Sequence, residues 1–170
     1  MAINEALLGE FDHEMENTRR ALERVPDEKF GWKPHDRSHT MGWLASHVAN
    51  IAIWAQVAVT TQELDLSAPP QPGQPRPTEA KSKRELLEMF ERNRTAARDA
   101  IAKTSDPDMM VKWSLKNNGK TILTMPRVAV LRSFVMNHLI HHRGQLTVYF
   151  RLNDIPVPAL YGPSADEGGF

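Results

Sequence analysis

At 170 residues, with 21 lysines and arginines against 21 aspartates and glutamates, the chain is sized for one ordinary domain and carries no net formal charge. That balance leaves no general electrostatic footprint for nucleic acid or an acidic membrane. The lack of any cysteine excludes disulfides, thiolate zinc sites, iron–sulfur clusters and cysteine nucleophiles, so a metal here must be held by His, Asp or Glu.

The opening stretch MAINEALLGEFDHEMENTRR is charged and amphipathic and has no apolar signal core, so export is not expected and the cytoplasm is the simplest location. Within it Leu8, Phe11, Met15, Leu22 and Val25, with Thr18 in the remaining place, recur at three-four spacing. This predicts a first helix over 3–25, ended by Pro26. A second helix is expected over 40–63, with Leu44, His47, Ile51, Trp54 and Ala58 on one face. No Lys, Arg, Asp or Glu lies between Ser38 and Gln62, yet His, Asn, Gln, Ser and Thr make the run too polar for a membrane span. It fits a helix covered on several sides, with a second subunit as one such cover.

The prolines of SAPPQPGQPRPTEA then break regular structure and form a connector within the domain. A third helix over 81–104 carries Leu86, Phe90, Ala97 and Ile101, with a charged outer face. KWSLKNNGKTILTM alternates around Asn117-Asn118-Gly119, which predicts a tight hairpin. A fourth helix follows over 126–153, with Pro126 in its first turn and a seam of Leu131, Val135, His138, His142, Gln145, Tyr149 and Leu152. Together these elements predict an all-α fold over 1–170, an antiparallel four-helix bundle with a short β-hairpin between helices 3 and 4.

The chemistry concentrates in NHLIHHRGQL. Residues four apart on a helix share a face, so His138 and His142 can address one ion, whereas His141 is turned about 100° away from His142. His47 sits in the seam of helix 2 as the pair sits in that of helix 4. Each could be a packed histidine satisfied by backbone or water, but three buried imidazoles need partners, and one divalent cation would serve all of them. Three neutral imidazoles leave a coordination position open, the pattern of a catalytic centre. Zinc, nickel, iron(II) or manganese would suit the donors, which do not choose among them. Water or a substrate thiolate could occupy the open position. Ligation needs neutral rings, so metal loss is expected as pH falls through about 6.

Two other chemistries fail on the residues. Leu139 stands where a zinc protease of the His-Glu-x-x-His type has its glutamate. A di-iron bundle would use Glu10-Phe-Asp-His13 together with acids on helix 4, which has none between Pro126 and Asn153. His13 is therefore expected at the surface, and His35 and His39 in a solvated loop. Asn50, one turn past His47, either bonds a ligand or is simple helix-surface polarity. Gln145 is expected beside His142 as an orienting partner. Arg143 either meets a substrate carboxylate or reaches solvent, the latter being preferred. Trp43 and Trp54 are expected in the core or a subunit contact.

GWKPHDRSHTMGWLASHVAN, the TMPR entry to helix 4 and NHLIHHRGQLTVYFRLNDIPVPALYGPSADE together resemble the DinB/YfiT-like superfamily of metal-dependent enzymes over nearly the whole chain. The resemblance implies a four-helix bundle of up-down-down-up connectivity, a homodimer, and a divalent metal on His47, His138 and His142. It also implies thiol-dependent transferase or isomerase chemistry with a low-molecular-weight thiol. The leading expectation is an enzyme, a thiol transferase or a hydrolase, activating a thiol or water against a small electrophile. The alternative is a non-catalytic metal-binding structural or stress-response protein. Neither nucleic acid nor a membrane is expected as a partner.

Overall fold

Helix α1 (Ile3–Leu22) is pinned at its start by carboxylates on its free amides, since the first turn of any helix leaves N–H groups without internal partners. Glu5 Oε2 accepts from the Ala2 N–H at 3.1 Å, and Asp106 Oδ1 accepts from the Ile3 N–H at 2.8 Å. The computed structural model describes residues 2–69 and 76–168. Part of the proline-rich connector, residues 70–75, lies outside them.

A 3-10 turn at Asp27–Lys29 leads to α2 (Met41–Thr60), whose N-cap Thr40 accepts from the Trp43 N–H at 3.2 Å. The approach to α2 is tight. The Gly42 N–H donates to the Phe30 carbonyl at 2.9 Å, and a Cβ at Gly42 would stand 2.7 Å from Phe30 Cδ1. Three-quarters of α2 is buried, including Ala45, Ala49, Ala52, Ala55 and Ala58, whose small side chains let neighbouring helices approach closely. The cover expected for this helix comes from the chain itself, chiefly α3 (Lys83–Ala102) and, later, the last helix.

After α2 comes a short strand, β1 (Glu63–Asp65), and after α3 a single turn, α4 (Asp106–Met109). β1 has no strand pattern in the sequence, whereas α4 follows the N-cap Ser105, which accepts from the Asp108 N–H at 3.3 Å. β1 pairs in parallel with β2 (Lys112–Asn117), which pairs in antiparallel fashion with β3 (Lys120–Pro126). Asn118 and Gly119 form the hairpin turn with φ of 51° and 73°, the left-handed region anticipated for this sequence. The fold is thus mostly helical with a three-stranded sheet, in place of an all-α chain with a bare hairpin. A second apolar cluster lies under the sheet, where Trp113, Leu115 and Val130 meet Ile53, Val57 and Ala58.

The final helical stretch runs through α5 (Arg127–Val130), a π-helical segment (Leu131–Asn137) and α6 (His138–Arg151). A π segment absorbs one extra residue into the helix. The buried face accordingly changes register within the segment, from Val130, Leu131 and Val135 to Met136, Leu139, Arg143, Leu146 and Phe150. This corrects the predicted seam. His138, His142 and Tyr149 lie half-buried on the flank beside the core face, and Gln145 and Leu152 are exposed. Among the described residues no helix is long and apolar enough to cross a membrane.

Candidate metal centre

The flank that α6 gains from the register change faces α2, and His47 projects from α2 toward it. The Nε2 atoms of His47 and His138, 91 residues apart in the chain, stand 3.3 Å from each other. The His142 ring centroid lies 4.5 Å from that of His47 and 4.6 Å from that of His138. One nitrogen from each ring falls within 4.8 Å of the other two, and all three rings are half-buried. The group contains no carboxylate.

Two nitrogens bound to one zinc at about 2.0–2.1 Å and a tetrahedral angle would be separated by about 3.3–3.4 Å. The His47–His138 pair has this separation, which is long for an N–H···N hydrogen bond. The donor set therefore fits a divalent transition metal. His138 Nδ1 is buried without a hydrogen bond of ordinary geometry among the described residues, the Phe134 backbone being the weak partner on that side, and the ring meets His47 through Nε2.

Electrostatics keep the rings unprotonated. Burial, followed by the neighbouring His142, His138 and His39, pushes His47 down from 6.5 to about 4. His138 is lowered by burial and then by His142, with the Phe134 carbonyl opposing. His142 is lowered by burial, against an opposing hydrogen bond from Gln145. All three thus offer lone pairs at neutral pH.

Gln145 holds His142 from the solvent side. Its Oε1 lies 2.7 Å from His142 Nδ1, and its Nε2 lies 3.1 Å from His141 Nε2. With Nδ1–H donated to the amide oxygen, His142 presents Nε2 as its lone-pair atom. His141 is exposed and outside the triad, touching it through Gln145 and edge-on against the His142 ring, with centroids 4.9 Å apart.

Two ladders extend the centre. His39, Trp43 and His47 stack face to face, with centroids 3.5 Å and 5.1 Å apart and interplanar angles of 13° and 12°. Phe134 tilts against His138 at 5.7 Å and meets Trp54 edge-on at 5.3 Å. His39, read from sequence as a solvated loop residue, is exposed but anchored on Trp43. Its signal was the four-residue spacing 39–43–47.

Other expected residues lie elsewhere. Asn50 is buried, not on the surface, and donates to the carbonyls of Ser46 and Thr78, at 2.8 and 2.6 Å, so it ties down the segment leading to α3. Arg143 is 1% exposed and donates to Glu14, Thr18 and Tyr161, which overturns the preference for solvent. His13 is exposed beside Asn17, 3.2 Å away, and Glu10 pairs with Arg132. Trp43 and Trp54 are half-buried against the core.

Comparison with known proteins adds relatives but no activity. The sequence model of the DinB family matches residues 1–168. An uncharacterised protein of Bacillus subtilis (strain 168), YrdA, is 27% identical over 161 residues, covering 94% of this chain and 89% of its own. The crystal structure of a DinB-like protein from Bacillus cereus ATCC 10987 superposes with a TM-score of 0.69 at 23% identity, covering 92% of this chain and 97% of that one. A DinB-like protein from Bacillus subtilis gives 0.69 at 19% identity, with 90% and 96% covered.

Proposed function

We propose that this chain, which belongs to the DinB family, is a divalent-metal-dependent enzyme whose centre is held by His47, His138 and His142. The observation that carries this reading is the 3.3 Å approach of two imidazole Nε2 atoms, with a third ring beside them and no carboxylate in the group. The same reading takes the four long helical segments as an up-down-down-up bundle, residues 1–170 as one domain, and the working molecule as a homodimer.

A divalent ion on three neutral ligands supplies a Lewis acid with a position open to water or to a low-molecular-weight thiol. The protein's own part is to keep that position usable. His142 is held in one tautomer by Gln145, and burial keeps all three rings unprotonated. Phe134 and Trp43 shield the rings on two sides. With no cysteine in the chain, any attacking thiol comes from a cosubstrate, and the electrophile is a small molecule. Transfer to the thiol is the leading reaction, and hydrolysis is its close variant.

A non-catalytic tie between α2 and α6 is the competing reading, favoured by the 91-residue separation that such a cross-link would close. Elemental analysis of tag-free protein, set against His47→Ala and His142→Ala, tests the site. Full metal occupancy in both variants removes the triad. Zinc- or nickel-loaded protein is then assayed with a panel of thiols and electrophiles. Turnover lost in the histidine variants supports the enzyme, and metal-dependent stability without turnover supports the tie.

A further inference from the structure

Arg143 follows His142 in sequence, yet it is one of the most deeply buried side chains in the protein, at 1% exposure. Its guanidinium donates to the Glu14 carbonyl at 2.9 Å, to Thr18 Oγ1 at 3.0 Å and to Glu14 Oε2 at 2.7 Å. It also donates to the Tyr161 hydroxyl, whose own proton goes to Glu14 Oε2 at 2.6 Å. Glu14 is itself 5% exposed. Taking such a pair out of water is costly, and an apolar pair of similar volume is often as stable or more so. Stability alone therefore does not explain a charge in the core face of α6.

The π segment supplies a reason. Leu131–Asn137 is a loosely wound stretch immediately ahead of His138, and the helix after it must be told which face to bury. Leu139, Leu146 and Phe150 favour the observed face, but apolar burial is non-directional and tolerates rotation and sliding. A metal centre does not, because its ligands must be placed to within about 0.5 Å. A planar guanidinium with several fixed donors is directional.

We propose that Arg143, clamped by Glu14, Thr18 and Tyr161, is a positioning residue that fixes the rotation of α6 so that His138 and His142 meet His47. It acts through the helix backbone and touches none of the three rings. The role rests on the metal reading above for its purpose, but not for its geometry. A purely structural alternative is available, because Tyr161 belongs to the carboxy-terminal segment. That segment is also strapped by Glu167 to Arg20 and Arg24, so the clamp could serve only to anchor it.

The test compares the full chain with Arg143→Lys, with Glu14→Met/Arg143→Met, which removes both charges while keeping bulk, and with Glu167→Gln, which loosens the segment without touching the clamp. Three properties are read: Co(II) affinity, the Co(II) visible spectrum at saturation, and the metal-free imidazole 15N signals. The double variant is expected to bind Co(II) at least about tenfold more weakly, with shifted ligand-field bands and altered His138 and His142 signals. Arg143→Lys should show the same changes to a smaller degree, and it carries the test if the double variant does not fold. Glu167→Gln should lower the thermal midpoint and leave all three readouts as in the parent. A folded clamp variant with parental affinity, spectrum and imidazole signals overturns the positioning role. If the parent binds no Co(II), the metal reading falls, and the 15N signals alone decide for or against Arg143.

Discussion

Gln145 Oε1 sits 2.7 Å from His142 Nδ1, while the same amide's nitrogen faces His141 Nε2 at 3.1 Å. One exposed side chain thus sets both the tautomer and the orientation of a buried-edge imidazole. Replacing it with leucine should cost about 10- to 100-fold in zinc affinity, the range for lost outer hydrogen bonds to a ligand. Being exposed, it should leave the unfolding midpoint almost unmoved. Chelator competition and thermal melts check the two halves, and unchanged affinity would show that the contact does not tune the ring.

Acid should act on the centre later than ordinary histidine chemistry suggests. With His47 pushed down to about 4 and His138 and His142 also lowered, protons compete with a metal less well than at 6.5. Half-loss of zinc on dialysis is expected below pH 6, lower than the sequence alone implied, and loss at pH 6 or above would contradict the shifted values.

The metal-free protein should show the matching stability profile. A histidine whose folded pKa is depressed is neutral in both states above 6.5, so nothing is lost there. Between about 6.5 and 4 the unfolded chain takes up protons that folded His47 refuses, and stability falls as pH falls. Urea midpoints recorded from pH 7 to pH 4 should decline, and the slope should diminish in His47→Ala.

Asp65 should control the hairpin. Its carboxylate accepts from the amides of Ser67, Asn118 and Gly119 and from the Ser67 hydroxyl, which holds it down at about 2. The tie is fully present above the ordinary value of 3.8 and is lost as pH falls through about 2. Asp65→Ala should speed hydrogen exchange at the Asn118 and Gly119 amides while α1 and α2 amides keep their parental rates. Unchanged exchange would show that β1 and the turn are held by other contacts.

Gly42→Ala should destabilise the entry to α2, because the added carbon meets the Phe30 ring at 2.7 Å and the Phe30 carbonyl at 3.0 Å. Overpacking of this kind costs about 1–3 kcal/mol. A denaturant midpoint equal to the parent's would mean that Phe30 moves aside freely.

The long helices were legible from apolar spacing, and the hairpin turn from Asn118-Gly119, because both signals are local. Helix ends differ from the expected ones by at most three residues, as caps such as Thr40 are decided by a single hydrogen bond. β1 was invisible because Glu63–Asp65 has no strand pattern and exists only by pairing with β2, about fifty residues later. From Met136 onward the buried face runs one residue out of register with the spacing in the sequence, since a π segment has no periodic signature of its own, and the same shift buries Arg143 and exposes Gln145.

What the sequence determined by itself is the chemistry of the donors: no cysteine, no acid on the last helix, and a His-x3-His pair that any helix must put on one face. Only the tertiary structure decided where that face points. Apolar burial accepts several rotations of a helix, whereas the π segment at Leu131–Asn137 and the directional bonds from Arg143 to Glu14 and Thr18 fit one of them. In that rotation His138 and His142 leave the core face and turn toward His47.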